Sequence, residues 1–237
     1  MRTTLDDKGG SKVDWTDDSV QSLLRWSNEE LTDYINAAER ETAIRTNTLI
    51  ESESTAVCRI SVTAGTDVYK LHPKIITIER AKLENGLYPQ EEISLRDAEG
   101  QRADWETYSK EPDYYFRDWQ KGKIRIWPTP IADDTLRLMV YRLPLGDMDL
   151  ENWESEEPEI HEQFQDKMLS WAMHLAYQKD EPNTLDPDKV LFYEQKYTAE
   201  IGPARDMYTL ERRKRKSRQT GYGGIRQTST NSNNRLR

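Results

Sequence analysis

Residues 114–144, YYFRDWQKGKIRIWPTPIADDTLRLMVYRLP, decide how the rest of the chain is read. Positions 114–119 alternate aromatic and polar side chains, the period of two expected of a half-buried strand. Gln120, Lys121 and Gly122 supply a short glycine-containing turn. Positions 123–127 alternate again. Pro128 and Pro130 end that ladder because proline brings no amide donor. Asp133 and Asp134 start the next turn, and 136–143 returns as another strand before Pro144. The expectation is a small antiparallel β meander with helical patterns on both sides of it.

Working outward, the upstream sequence supports strands and one long helix. Residues 57–62 and 68–71 alternate around a turn at 64–67. Residues 75–81 are strongly β-branched, 84–92 reads as a loop, and a short strand is expected at 93–95. The segment 96–112 is polar and irregular, pinned by Trp105 and Tyr108. Further back, Ser27 and Glu30 have capping-box spacing, and Leu31, Ile35, Ala38 and Thr42 follow at helical intervals. This predicts a helix from about 28 to about 50, with Glu39, Arg40, Glu41 and Arg45 on a solvated face. Thr16, Asp17 and Asp18 cap a short helix through Leu23 and Leu24, and the residues before it read as a mobile arm.

Downstream, an acidic linker at 147–157 leads to two more helices. Pro158 fits the first turn of one. Ile160, Phe164, Met168, Trp171 and Leu175 form its apolar stripe, with Trp171 expected in the core among the helices. Asp186 and Pro187 begin the next helix, which carries Val190, Tyr193, Tyr197 and Ile201 on one face and stops at Gly202 and Pro203. So short a connection predicts a helix hairpin.

Composition sets limits on function. Of the 237 residues, 35% are hydrophobic and 32% charged, so much of the surface faces water or a partner. Seven Trp and twelve Tyr are many for so polar a chain, and such aromatics suit both cores and contact surfaces. The apolar runs are far shorter than a membrane span or the apolar stretch of a secretory leader needs. The single cysteine, Cys58, permits no disulfide within the chain and reads as a buried strand residue.

Charge is unevenly placed. The chain carries −9 overall, but residues 205–237 carry +8, which leaves −17 on residues 1–204. The basic run is Arg212, Arg213, Lys214, Arg215 and Lys216, followed by Tyr222 and Ile225. Such a tail either neutralises phosphates with Tyr222 stacking, orders against a partner protein, or stays solvated.

Candidate catalytic chemistry is thin. Neither a dinucleotide glycine fingerprint nor a P-loop occurs. His161 and His174 lie too far apart to share a helix face cleanly, and His72 stands away from both. All three read as hydrogen-bonded histidines rather than zinc ligands. Glu156 with Glu157, and Asp133 with Asp134, fall in linker and turn sequence, poor settings for acid–base work. No catalytic, cofactor or metal residue is assigned.

The order of elements resembles that of the head-to-tail adaptors (head–tail connectors) of tailed bacteriophages. The resemblance rests on Trp26 to Leu31 leading to Tyr34 and on to Glu41, on 64–71 with 75–80, on Ile126 to Pro130, on 136–144, and on Glu159, Ile160 and His161 with the closing helices. It covers roughly residues 20–202. It implies a ring-forming structural protein without catalytic residues, commonly of twelve copies. The ring would sit in the virion neck between portal protein and tail or nozzle proteins, after assembly in the host cytoplasm. Genomic DNA would pass through its channel without sequence-specific binding, and no membrane is involved.

The expected fold is α+β, with helices from both ends packed together, an inserted antiparallel β domain and an extended C-terminal arm. Its parts are a mobile arm at 1–15, helices within 16–53, the β domain at 54–146, the linker at 147–157, the hairpin at 158–202 and the basic tail at 203–237. In the adaptor reading, residues 212–216 with Tyr222 and Ile225 dock on the portal. A nucleic-acid-binding module acting through the same tail is the alternative. A sugar-binding face of Trp119, Trp127 and Tyr141 is a third reading.

Overall fold

The computed structural model describes residues 25–149, 157–181 and 184–204, with the backbone alone at 118. The expected arm, the 16–24 helix, most of the acidic linker and the tail from 205 onward lie outside the described residues. Helix α1 (Asn28–Thr46) opens on the expected capping box. The Ser27 amide donates to Glu30 Oε2 at 2.8 Å, and the Glu30 amide donates to Ser27 Oγ at 3.1 Å. The helix ends at Thr46 rather than near 50, because Asn47 turns left-handed with φ 51°. Asn tolerates that region better than most side chains.

The chain then builds two sheets. Its elements are β1 (Ile50–Glu51), a helical turn α2 (Thr55–Cys58), β2 (Arg59–Val62), β3 (Val68–Lys70), β4 (Ile75–Leu83), β5 (Glu91–Glu92), α3 (Leu95–Gln101), β6 (Tyr114–Gln120), β7 (Lys123–Trp127) and β8 (Asp134–Arg142). β8 is the centre of the first sheet, with β4 on one side and β1 and β2 in succession on the other. The second sheet runs β3-β7-β6-β5.

This corrects the expected meander. β6 and β7 form a hairpin, but β8 leaves β7 and joins the other sheet. The donor-poor segment from Pro128 to Pro130 breaks the ladder, so the chain crosses between sheets there. The second sheet is also mixed rather than antiparallel, since β5 pairs with β6 in parallel.

Three local expectations change as well. Residues 57 and 58 belong to a turn in which both amides reach the Ser54 carbonyl, so these neighbours are buried together at 3% and 0% exposure. A strand would send them to opposite faces. The strand expected at 93–95 ends earlier, at Glu92, and Ser94 instead caps α3 by accepting from the Asp97 amide. Pro158 precedes its helix rather than starting it, because His161 is the cap.

The main core lies between the sheets. Leu136, Leu138 and Val140 point inward from β8 and meet Ile124 and Ile126 from β7 and Tyr115 from β6. Burying each such side chain is worth ~1.5–3 kcal/mol. In β4, Ile78 and Ala81 are both buried although they lie three apart, and a register shift between Ile78 and Arg80 reconciles them with the pleat. The outer face of the second sheet is covered by α3 and the loop after it, where Trp105, Phe116 and Trp127 form a second cluster.

Helices α4 (Glu162–Tyr177) and α5 (Pro187–Ile201) form the expected hairpin and pack on α1. Asp186 caps α5, accepting from the Lys189 amide at 3.1 Å, and Pro187 occupies its first turn. On α4 the buried apolar residues are Met168, Ala172, Met173, Ala176 and Tyr177, with Ser170 and His174 buried beside them. Phe164, Trp171 and Leu175 are only partly buried, so Trp171 lines the joint between helices instead of filling its centre. Its ring stacks on His174 at 4.6 Å and tilts against Tyr197 at 5.1 Å.

One guanidinium joins sheet to helices. Arg142, at the end of β8, donates from Nη1 to Glu159 Oε2 at 2.6 Å and from Nη2 to Glu51 Oε2 at 3.4 Å. Glu51 also accepts the amides of Ser52, Glu53 and Ser54. Glu159 accepts those of Leu145 and Gly146. The Glu53 and Ser54 amides, with Arg142 adding to them, hold Glu51 below its ordinary range. At Glu159, burial pulls upward, but Arg142 and the two amides outweigh it and lower the carboxyl.

Replacing Arg142 with Ala is expected to cost about 2–3 kcal/mol, below the range for a fully buried pair because both carboxylates keep some water. Lowered carboxyls stabilise above their ordinary 4.5 and lose that contribution as pH falls through the folded value. Urea midpoints should therefore drop on acidification below about 4.5 in the parent and drop less in Arg142→Ala. Parallel acid limbs in both proteins would contradict this role for Arg142.

Candidate assembly surfaces

The polar side of α1 is a clamp and not the solvated face its sequence suggested. Glu39 is 2% exposed, and its Oε1 accepts the Ile160 amide at 3.2 Å. Asn36, 5% exposed, exchanges two bonds with the backbone of Met148, at 3.1 and 2.9 Å. Arg40 reaches Asp147 at 3.4 Å. Together these residues hold the chain where it leaves the sheets and where it enters α4. Burial pushes the Glu39 carboxyl up, against the pull of the Ile160 and Glu159 amides.

The other end of α1 holds the end of α5. Arg45 lies over the rings of Trp171 and Tyr197, 4.8 Å from each centroid. It donates to Glu41 at 2.6 Å and to the Gly202 carbonyl at 3.0 Å. Tyr197 is buried and bonded to Thr42 at 2.8 Å, and burial pushes its hydroxyl up to about 12. A sequence signal for this clamp did exist. Ala38, Thr42 and Ala43 are small enough for α1 to be buried over about half its circumference.

At the far end of the β domain three loops are tied together. The Ala64 amide donates to Asp133 at 2.8 Å, Gly65 donates to the Pro130 carbonyl at 2.8 Å, and Asn85 Nδ2 donates to Asp134 at 3.0 Å. Asp133 and Asp134 are therefore loop fasteners. These loops carry apolar tips, with Leu87 84%, Tyr88 78% and Ile131 64% exposed. The helical layer has its own apolar surface at Leu191 and Phe192, 54% and 58% exposed.

The aromatic residues of the sugar-binding reading do not come together. Trp127 is 2% exposed and donates from Nε1 to the Trp105 carbonyl at 2.7 Å. Trp119 packs in the same cluster, while Tyr141 belongs to the other sheet. Arg125 fills the space between Trp105 and Trp119, 4.8 and 4.6 Å from their centroids, with its Nε 2.6 Å from Asp67. This is a covered core feature.

Residues 212–216, Tyr222 and Ile225 all lie outside the described residues. Each histidine has a local hydrogen bond. His72 accepts the Lys74 amide, His161 accepts the Gln163 amide, and His174 meets the Val190 carbonyl at 3.0 Å. Among the described residues, no three His, Cys, Asp or Glu side chains group as a metal site. Cys58 is buried, and burial raises its thiol. No described helix is long and apolar enough to cross a membrane.

Against known families, the model described as SU10 adaptor protein matches residues 11–223. This extends the resemblance read from the sequence at both ends and takes in the basic run. No curated protein matches the chain.

Glu39 gives the clamp a test. A raised carboxyl loses stability as pH rises through its folded value, so Glu39→Gln should remove that slope above about 4.5. At pH 7 its stability should stay within about 1 kcal/mol of the parent, because one acceptor oxygen remains. Glu39→Ala should cost about 1–3 kcal/mol by stranding the Ile160 amide. Equal behaviour of the two variants in urea unfolding would show that the hydrogen bond contributes nothing.

Proposed function

Because the chain belongs to the SU10 adaptor protein family, a family of phage head–tail adaptors, we propose that it forms a closed ring beneath the portal, links portal to tail and continues the DNA channel. Family membership makes it a structural adaptor of bacteriophage assembly, working with portal and tail proteins at the virion neck. The finer reading is a ring of twelve copies whose basic segment 205–237 is the portal-docking arm. Arg212, Arg213, Lys214, Arg215 and Lys216 pair with acidic portal surface, and Tyr222 and Ile225 anchor the contact. The reading assigns the chain no catalytic step and no cofactor.

The observation that carries this reading is the extent of the match, which runs through residue 223 and so includes 212–216 and Tyr222 with the body. Charge supports it, with +8 on 205–237 against −17 on the remainder. An acidic body repels the DNA backbone and lets a genome slide without sticking. About thirty residues of extended chain reach on the order of 100 Å, enough to cross a neighbouring copy. An arm of this composition orders only on a partner, because it cannot offset its own ordering entropy.

Electron microscopy of chain bound to portal should show adaptor density in a fixed ratio to portal subunits. Random attachment would defeat the ring. Truncation after Pro203 should abolish capture by DNA-free portal while leaving the body folded. Undiminished capture would exclude the arm as the docking element, and capture restored only by added DNA would favour the nucleic-acid reading.

A further inference from the structure

The outer face of the first sheet carries unbalanced positive charge. Leu136, Leu138 and Val140 turn β8 inward, so the alternate residues Thr135, Arg137, Met139 and Tyr141 face out. Arg59 of β2 and Lys82 of β4 stand in register on either side of Arg137. Three cations thus form one cross-strand row, each about 5 Å from the next. Arg80, opposite Met139, adds a fourth. Like charges directly opposite one another destabilise a sheet, so the row is a cost to an isolated copy.

Among the described residues, Arg59, Arg80 and Lys82 have no carboxylate partner. Arg137 meets Glu84 at 3.8 Å, with both side chains about half exposed. No described helix packs broadly across this face. Met139 and Tyr141 continue it along β8, half-buried, and Ile50, opposite Tyr141, is 52% exposed.

The helical layer carries the complement. Val190, Tyr193 and Tyr197 turn α5 toward α4 and α1, which leaves Asp188, Leu191, Phe192, Gln195 and Ala199 as an exposed ridge. Along it lies a shallow concavity of about 430 Å³ lined by Leu191, Glu194, Gln195, Thr198 and Ala199. Glu194 is the one charged residue of that lining and has no cation partner among the described residues. Such a concavity suits a long cationic side chain, whose carbon stem needs cover and whose head needs a carboxylate. Lys196 falls on the opposite side of the ridge from Glu194.

Copies with surplus negative charge repel one another unless opposite charges meet at their contact. The basic face cannot meet itself, because that would set cations on cations. A two-fold contact through it is therefore ruled out, and a head-to-tail contact, the kind that closes rings, remains. A nucleic acid fits less well, because four cations on a body of −17 hold few phosphates against so much repulsion.

We propose that Arg137 of one copy enters the α5 concavity of the next and pairs there with Glu194. The exposed helix flank then lies across the uncovered sheet face and covers Met139 and Tyr141 with Leu191 and Phe192. This contact rests on the ring reading and names the surfaces that join one copy to the next.

Charge reversal in the full-length chain tests it. Arg137→Glu and Glu194→Arg should each weaken self-association at least about tenfold in sedimentation, alone or on DNA-free portal. The double variant should return to within about threefold of the parent. Arg137→Glu breaks up the row of like charges, so it should melt no lower than the parent, which separates lost assembly from lost folding. A chain carrying Arg137→Cys with Glu194→Cys should oxidise to a ladder of linked copies, and a disulfide at monomer mass, or none, would overturn the contact. Single reversals that assemble as well as an assembling parent would overturn this contact and leave the ring standing. A parent that never assembles, alone or on portal, would overturn both. Loss of binding to a short random-sequence DNA duplex in Arg137→Glu, with association unchanged, would give the face to nucleic acid instead.

Discussion

The contact on which the joining of sheets and helices most depends is the guanidinium of Arg142, which ties Glu51 to Glu159. The chain enters the β domain at Glu51 and returns to the helices at Glu159, and the two carboxylates are held by one guanidinium. Both also accept backbone amides, which hold the ion pairs in fixed geometry. That combination is what makes a partly buried charge cluster stabilising rather than costly. Asn36 and Glu39 then fasten the returning segment along α1. The sheet-to-helix connection is thus made largely of polar contacts, in keeping with a chain of mean hydropathy −0.95.

Such a joint suits an adaptor. A protein that transmits position between two neighbours needs its parts fixed relative to one another, and directional hydrogen bonds do this better than an apolar contact that can slide. Among the described residues, two groups of exposed apolar side chains sit in different parts of the fold. One is the loop tips around Leu87, Tyr88 and Ile131, at the end of β8 away from Arg142, and the other is the flank of α5. The loops that carry the first are braced by Asp133 and Asp134, which presents their tips on a rigid base.

Arg45 and Arg125 show how the chain uses its many aromatics. Each arginine lies over two rings and pairs with one carboxylate, Glu41 or Asp67. The guanidinium stays charged while its faces are covered by carbon, a role lysine cannot fill because its ammonium lacks a planar face. These aromatics serve the interior, which is why Trp119 and Trp127 offer no binding platform. Arg45 also fixes the Gly202 carbonyl, where α5 stops.

The sequence by itself determined the beginning of α1 through Ser27 and Glu30, and both ends of α5 through Asp186, Pro187 and Gly202. It also determined the β6–β7 hairpin and the family resemblance. These are signals of backbone hydrogen-bond accounting within a few residues, complete in the local chain. Only the tertiary structure decided that β8 abandons β7 for β4, β1 and β2, and that Glu39 and Arg45 are interior residues. It also decided that α4 turns Met173 inward ahead of Leu175. Those outcomes depend on partners far along the chain, 91 residues for Arg142 and Glu51 and 121 for Glu39 and Ile160. A polar side chain is buried when a distant backbone amide arrives to pair with it, and no local pattern encodes that arrival.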